Sequence, residues 1–154
     1  MSLKKSFFLL ACVVASLTAN AQSIGYYPFN SVLSFSTNPV NRVWADARFQ
    51  TNSYFSALSL EVAPFINVNN NSKALIYLGP GVTMNFISLF EGQSGKPIEG
   101  YFLATGVRSS LFDKYPGLQV TFELSPYVFA SGTSGQFKTR LGIAYNLSQR
   151  KLPK

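Results

Sequence analysis

The sequence predicts an all-β fold: an antiparallel up-and-down β-barrel of about eight strands behind an N-terminal signal helix. Three observations predict it. Beyond residue 21 apolar residues recur with period two, the strand signature, and no helical period is visible. Turn residues punctuate that alternation every 10 to 20 positions. Charged residues make up only 12% of the 154-residue chain while aromatics reach 15%, where a soluble domain typically carries about 25% charge.

The first element is a secretory signal over residues 1–21. Lys4 and Lys5 give a positive start, Phe7 to Leu17 is apolar apart from Ser16, and Ala19-Asn20-Ala21 supplies small residues at the two positions a signal peptidase reads. The apolar run is shorter than the roughly 20 residues of a spanning helix. Cleavage after Ala21 makes Gln22 the first mature residue. The alternative is an uncleaved anchor. The only cysteine, Cys12, lies in this segment. Leu9-Leu10-Ala11-Cys12 looks like a lipoprotein box, but only five apolar residues precede the cysteine and the apolar run continues past it. Cleavage therefore leaves a mature chain without thiol or disulfide chemistry.

Residues 22–149 are expected to form one barrel domain and 150–154 a basic tail. Losing Lys4 and Lys5 takes the formal charge from +7 to +5, and Arg150, Lys151 and Lys154 supply three of those charges. The remaining excess makes no nucleic-acid surface.

Seven strands are visible. Ser31 to Thr37 is the first of them and ends at the turn Asn38-Pro39-Val40-Asn41. In Arg42 to Thr51, Val43, Ala45, Ala47 and Phe49 oppose Arg42, Trp44, Asp46, Arg48 and Gln50. In Phe55 to Val68, Leu58, Leu60, Val62, Pro64 and Ile66 oppose Ser59, Glu61, Ala63 and Phe65. Ala74 to Phe86 sets Leu78, Pro80, Val82 and Met84 against Gly79, Gly81, Thr83 and Asn85. Glu99 to Ser109 sets Tyr101, Leu103, Thr105 and Val107 against Gly100, Phe102, Ala104, Gly106 and Arg108. Leu118 to Val128 and Arg140 to Leu147 repeat the pattern around Glu123 and Arg140. Single-chain bacterial barrels have even strand numbers, so an eighth strand is expected at Ile24 to Phe29, before a break near Pro28 and Asn30.

The connections give an independent check. If the last strand ends in the periplasm, 88–97, 130–136 and 51–53 lie outside and 113–116, 68–73 and 38–41 inside. The longest, Ser88 to Pro97, then falls outside, as the short-turn, long-loop rule requires. Glu61-Val62-Ala63-Pro64-Phe65-Ile66 echoes Glu123-Leu124-Ser125-Pro126-Tyr127-Val128, but the strand count gives the two opposite directions, so this is recurrent strand chemistry and not a repeat. Proline removes a ladder hydrogen bond, so Pro64, Pro80 and Pro126 are expected near strand ends or at bulges.

The two faces set the orientation. Asp46, Arg48, Glu61, Arg108, Glu123 and Arg140 occupy one face in mid-strand, three acids and three arginines. The opposite faces are nearly continuous Leu, Val, Ile and Phe. A soluble ligand barrel is apolar inside, whereas a membrane barrel turns its apolar face to lipid. Eight strands leave an interior just wide enough for side chains. Unpaired buried charge costs several kcal/mol, so the six charges are expected to neutralise one another in the lumen. The competing reading is a soluble sandwich with those charges in water. Phe49, Tyr54, Phe55, Phe86, Phe112, Tyr115, Phe129, Phe137 and Tyr145 lie near strand ends, where bilayer-interface girdles would place them.

With Ala19-Asn20-Ala21, the alternating strands and the closing Arg140-Leu-Gly-Ile-Ala-Tyr-Asn-Leu147 in view, the chain resembles the small bacterial outer-membrane β-barrels of the OmpA-membrane-domain and OmpX type. The resemblance implies an outer-membrane location, with membrane lipid and the outer-membrane assembly machinery as partners. In that class the last strand commonly ends on a C-terminal aromatic residue; here Leu147 takes that place and Ser148 to Lys154 follow.

Enzymatic chemistry finds little footing. The chain has no histidine, so the mechanisms of small lipid-modifying barrel enzymes do not transfer, and without histidine or mature cysteine no common transition-metal set exists. Asp46 with Glu61, or Glu61 with Glu123, is formally an acid/base pair, but salt bridging is the simpler role. Gly79-Pro80-Gly81 and Gly92-x-x-Gly95 lack the lysine and the helix of a phosphate loop. Asn70-Asn71-Ser72 is only formally a sequon. No cofactor is expected. The leading expectation is a non-enzymatic outer-membrane barrel with a structural or surface-interaction role; the alternatives are a narrow pore or lipid-handling channel, and a soluble periplasmic or secreted barrel binding a small ligand.

Overall fold

A computed structural model describes residues 22–50, 59–69, 73–85, 98–112 and 114–147. The expected signal segment, the tail, the loop 88–97, Asn70-Asn71-Ser72 and residues 55–58 and 86 of two expected strands lie outside the described residues. Eight strands follow one another: β1 (Ser23–Tyr27), β2 (Val32–Ser36), β3 (Val43–Gln50), β4 (Ser59–Asn67), β5 (Ala74–Asn85), β6 (Ile98–Ser110), β7 (Leu118–Phe129) and β8 (Gly135–Asn146). Each pairs antiparallel with the next, and β8 pairs with β1, so the sheet closes into a barrel. Closure leaves no unpaired edge.

β1 is the strand the even-number rule required, and it stops where Pro28–Asn30 forms a single 3-10 turn. Ser31 leaves that turn in the left-handed region at φ 51°, which swings the chain into β2. β8 extends five residues further back than its expected start at Arg140. Gln136, Lys138 and Thr139 interrupt the apolar rhythm there, yet the ladder to β7 continues through Ser125–Lys138 to Val128–Gly135.

The register fixes the barrel's shape. Ile24 pairs in turn through Phe35, Ala47, Val62, Val82, Tyr101 and Val128 to Gly135 on β8. Across the seam Ile24 pairs with Tyr145, so the circuit returns ten residues from where it closed. A stagger of ten over eight strands corresponds to a strand tilt of about 40°. The wall is uneven in height. The 12 to 13 residues of β5 to β8 rise about 30 Å along the axis, and the five residues of β1 and β2 less than half of that.

The prolines correct one expectation. Pro64, Pro80 and Pro126 stand in mid-strand, exposed on the outer face, and the register shift on β5 lies elsewhere, between Thr83 and Met84. Pairing of Val62 with Val82 and of Ile66 with Leu78 sets Pro64 opposite Pro80, inside a gap in that ladder. The two missing donors share one interruption. Pro126 likewise falls in the gap between Phe102–Tyr127 and Thr105–Leu124, and keeps its pairing with Phe137 on β8. Beside this gap only glycine fits: a Cβ on Gly79 would collide with the Pro64 carbonyl oxygen and the Phe65 ring.

Inside, the barrel is filled. Trp44, Phe65 and Tyr77 form an aromatic triangle with ring centroids 4.6 to 5.2 Å apart, joined by Phe102, Tyr127, Ala63 and Ala104. At the end that carries β1 Ser23 and β8 Asn146, Asn67 ties the β2–β3 turn across the opening. Its amide nitrogen donates to the carbonyls of Pro39 (2.8 Å) and Asn41 (2.7 Å), and its oxygen accepts from Trp44 Nε1 (3.1 Å).

Candidate functional site

The alternation that puts aliphatic residues outside puts the charges inside. All six candidate residues face the lumen: Asp46, Arg48, Glu61, Arg108, Glu123 and Arg140 are each at most 2% exposed. They come from β3, β4, β6, β7 and β8, and the register sets two oppositely charged pairs side by side, Arg48 with Glu61 and Glu123 with Arg140.

Glu123 is the hub. Arg48 donates to it through Nη1 (2.6 Å) and Nη2 (2.7 Å), a bidentate fork across the lumen. Arg140 Nη1 (3.2 Å), the Tyr77 hydroxyl (3.0 Å) and the Ser125 hydroxyl (3.1 Å) donate to the same carboxylate. Arg48 Nε also donates to Asp46 (2.7 Å), whose other oxygen accepts from Ser36 (3.0 Å). Arg140 Nη2 donates to Glu61 (2.7 Å). The guanidinium of Arg48 further lies 5.3 Å from the centroid of the Phe65 ring and 5.7 Å from that of Tyr27. Five of the six candidates thus form one network.

Arg108 does not join it, which corrects the expected six-membered balance. Among the described residues it reaches only Ser23 Oγ (3.2 Å) and the face of Trp44, 5.0 Å from the centroid. Its Nε and Nη2 have no hydrogen-bond partner among the described residues. The physical reason is its level in the barrel: across the ladders it faces Leu75 and Thr121, neither of them a carboxylate. The cation that replaces it is Lys138, which donates to Glu61 at 3.2 Å and sits 3.9 Å from the centroid of the Tyr127 ring. Lys138 was hidden because it precedes the apolar part of β8; the inward series Gln136, Lys138, Arg140 was the signal. Ser125 shares the parity of Glu123 on β7, whereas β5 and β2, which carry Tyr77 and Ser36, hold no charged residue to mark their inner face.

Chemically this arrangement is a set of paired charges. Each network carboxylate accepts from an arginine, and Phe65, Tyr77 and Ala104 beside them are fully buried. Gln22, at the expected cleavage point, donates its backbone N–H to Ser36 O and accepts from Leu147 N, which closes the seam of the barrel. Ala19 and Ala21 lie outside the described residues. No protein-family model matches the chain, and no curated protein matches it in sequence.

Proposed function

We propose that the protein is a non-enzymatic β-barrel of the bacterial outer membrane, closed along its axis, with a structural or surface-interaction role. The carrying observation is the polarity of the wall. Large apolar side chains face outward in the open: Ile76 is 47% exposed, Leu78 43%, Tyr101 52%, Leu103 47%, Ile143 56% and Tyr145 47%. The largest fully buried side chains are those of Arg48 and Arg108. Water would reverse that distribution, because it penalises contiguous apolar surface and solvates charge. A bilayer core favours it, and a closed barrel satisfies the backbone without water.

Dimensions agree. The tall side of the wall, about 30 Å, matches a hydrocarbon layer of about 30 Å. Phe112, Tyr115 and Tyr145 lie toward one end and Phe129 and Phe137 toward the other, as bilayer-interface girdles would. The signal-like residues 1–21 support export, and the resemblance in architecture supports the outer membrane and its lipids and assembly machinery as partners. The filled lumen, with Glu123 and Phe65 at 0% exposure, favours a plugged barrel over a pore.

Cell fractionation with detergent extraction tests this reading. The protein is expected in the outer-membrane fraction, folded only in detergent or lipid, with faster gel migration before boiling than after. A monomer that stays soluble without detergent contradicts it.

A further inference from the structure

The two ends of the barrel differ in charge, and that difference identifies a second surface. Three turns join strands at the end that carries Ser23 and Asn146: residues 37–42, 68–73 and 111–117. Each holds one basic residue, Arg42, Lys73 and Lys114, and all three are exposed. Asp113 is the one acidic residue in the sequences of these turns. At the opposite end the connecting sequences 28–31, 51–58, 86–97 and 130–134 hold only Glu91 and Lys96, which cancel.

Each basic residue of the first end also has exposed apolar neighbours at the edge of the outer belt. Val43 (62% exposed) follows Arg42, and Phe112 (52%) and Tyr115 (58%) flank Lys114, whose Nζ lies 5.7 Å from the Tyr115 centroid. Val68 (70%) opens the turn that Lys73 closes. A ring that presents apolar and cationic groups side by side, continuous with an apolar wall, matches a surface with acyl chains below and negative charge above. An acidic protein or a nucleic acid would supply the charge without the apolar layer.

We propose that this basic rim binds the anionic phospholipid headgroups of the leaflet at the turn end of the barrel. The proposal rests on the membrane reading given above and assigns a lipid class to one end of it. Each cation near such a surface contributes separately, with the side-chain stem along the apolar layer and the charge at the phosphate level. The attraction is screened by salt.

Spin-labelled lipids test it on the full protein reconstituted in phosphatidylcholine bilayers. Labelled phosphatidylglycerol is expected to associate with the barrel about threefold more strongly than labelled phosphatidylcholine. The preference is expected to fall to near unity in the triple variant Arg42→Gln/Lys73→Gln/Lys114→Gln and, for the unaltered protein, in molar salt. The salt arm stands even where the triple variant fails to fold. A motionally restricted lipid component with no preference for phosphatidylglycerol overturns this proposal alone. A preference unchanged in both the triple variant and molar salt overturns it too. Absence of any restricted component overturns the membrane reading and this proposal with it.

Discussion

Arg48 and Arg108 are equally buried, each 1% exposed, and face the same lumen from adjacent levels of the barrel, yet they are held in opposite ways. Arg48 places Nε on Asp46 and both terminal nitrogens on Glu123. Arg108 has one hydroxyl and one indole face. The contrast teaches that burial of charge in this barrel is not itself the organising device; the Glu123 hub is. A guanidinium that reaches the hub ties strands together across the lumen. One that does not is tolerated by an aromatic surface and by the short polar side chain of Ser23.

The largest effect is expected at the hub. Glu123→Gln removes the charge that holds Arg48 and Arg140 and leaves both cations short of a carboxylate. Breaking a buried pair on one side costs about 3–5 kcal/mol, so the urea midpoint of the refolded protein is expected to drop sharply. A shift no larger than that of a surface substitution would remove the distinction between the two arginines. Tyr77→Phe deletes one donor to Glu123 and keeps the ring against Trp44 and Phe65, and it is expected to cost about 2 kcal/mol in the same assay.

Coupling energies separate the two arginines further. A double-mutant cycle between Arg48→Met and Glu123→Leu is expected to give an interaction of about 2 kcal/mol or more, whereas Arg108→Met with Ser23→Ala is expected to give under about 0.5 kcal/mol. The smallest effect belongs to Arg108→Met alone. Replacing an under-satisfied buried cation with an apolar side chain of similar length is expected to leave stability within about 1 kcal/mol or to raise it. A loss comparable to that of Glu123→Gln would mean that Arg108 is held by more than Ser23 and Trp44.

Much of this was legible in the chain, for a physical reason. A barrel wall enforces a strict two-residue period, so Val62 and Glu61, or Phe122 and Glu123, report opposite faces without any knowledge of their partners. Even β1, with only Ile24 and Tyr26 on its outer face, followed from the need to close the sheet. What was not legible depends on height along the axis. Parity places Arg108 inside, but only the stagger between strands shows that Leu75 and Thr121 are its neighbours while Glu123 lies one level away. The same stagger decides that Lys138 meets Glu61 across the lumen, and that Pro64 and Pro80 share one gap in a ladder. Sequence periodicity fixes faces; it carries no information on register between strands that are 20 or more residues apart.

In the proposed membrane setting the outer face meets acyl chains and the lumen does not, and the single tryptophan makes this measurable. Trp44 is 3% exposed and points into the lumen, while Leu103 points outward from mid-β6. Lipids brominated at mid-chain quench an indole that touches them. In reconstituted bilayers Trp44 fluorescence is expected to be little affected, whereas Trp44→Phe/Leu103→Trp is expected to be strongly quenched by brominated lipid and spared by aqueous acrylamide. Quenching of the Leu103→Trp indole by acrylamide, with none from brominated lipid, would place the outer face in water and not in lipid.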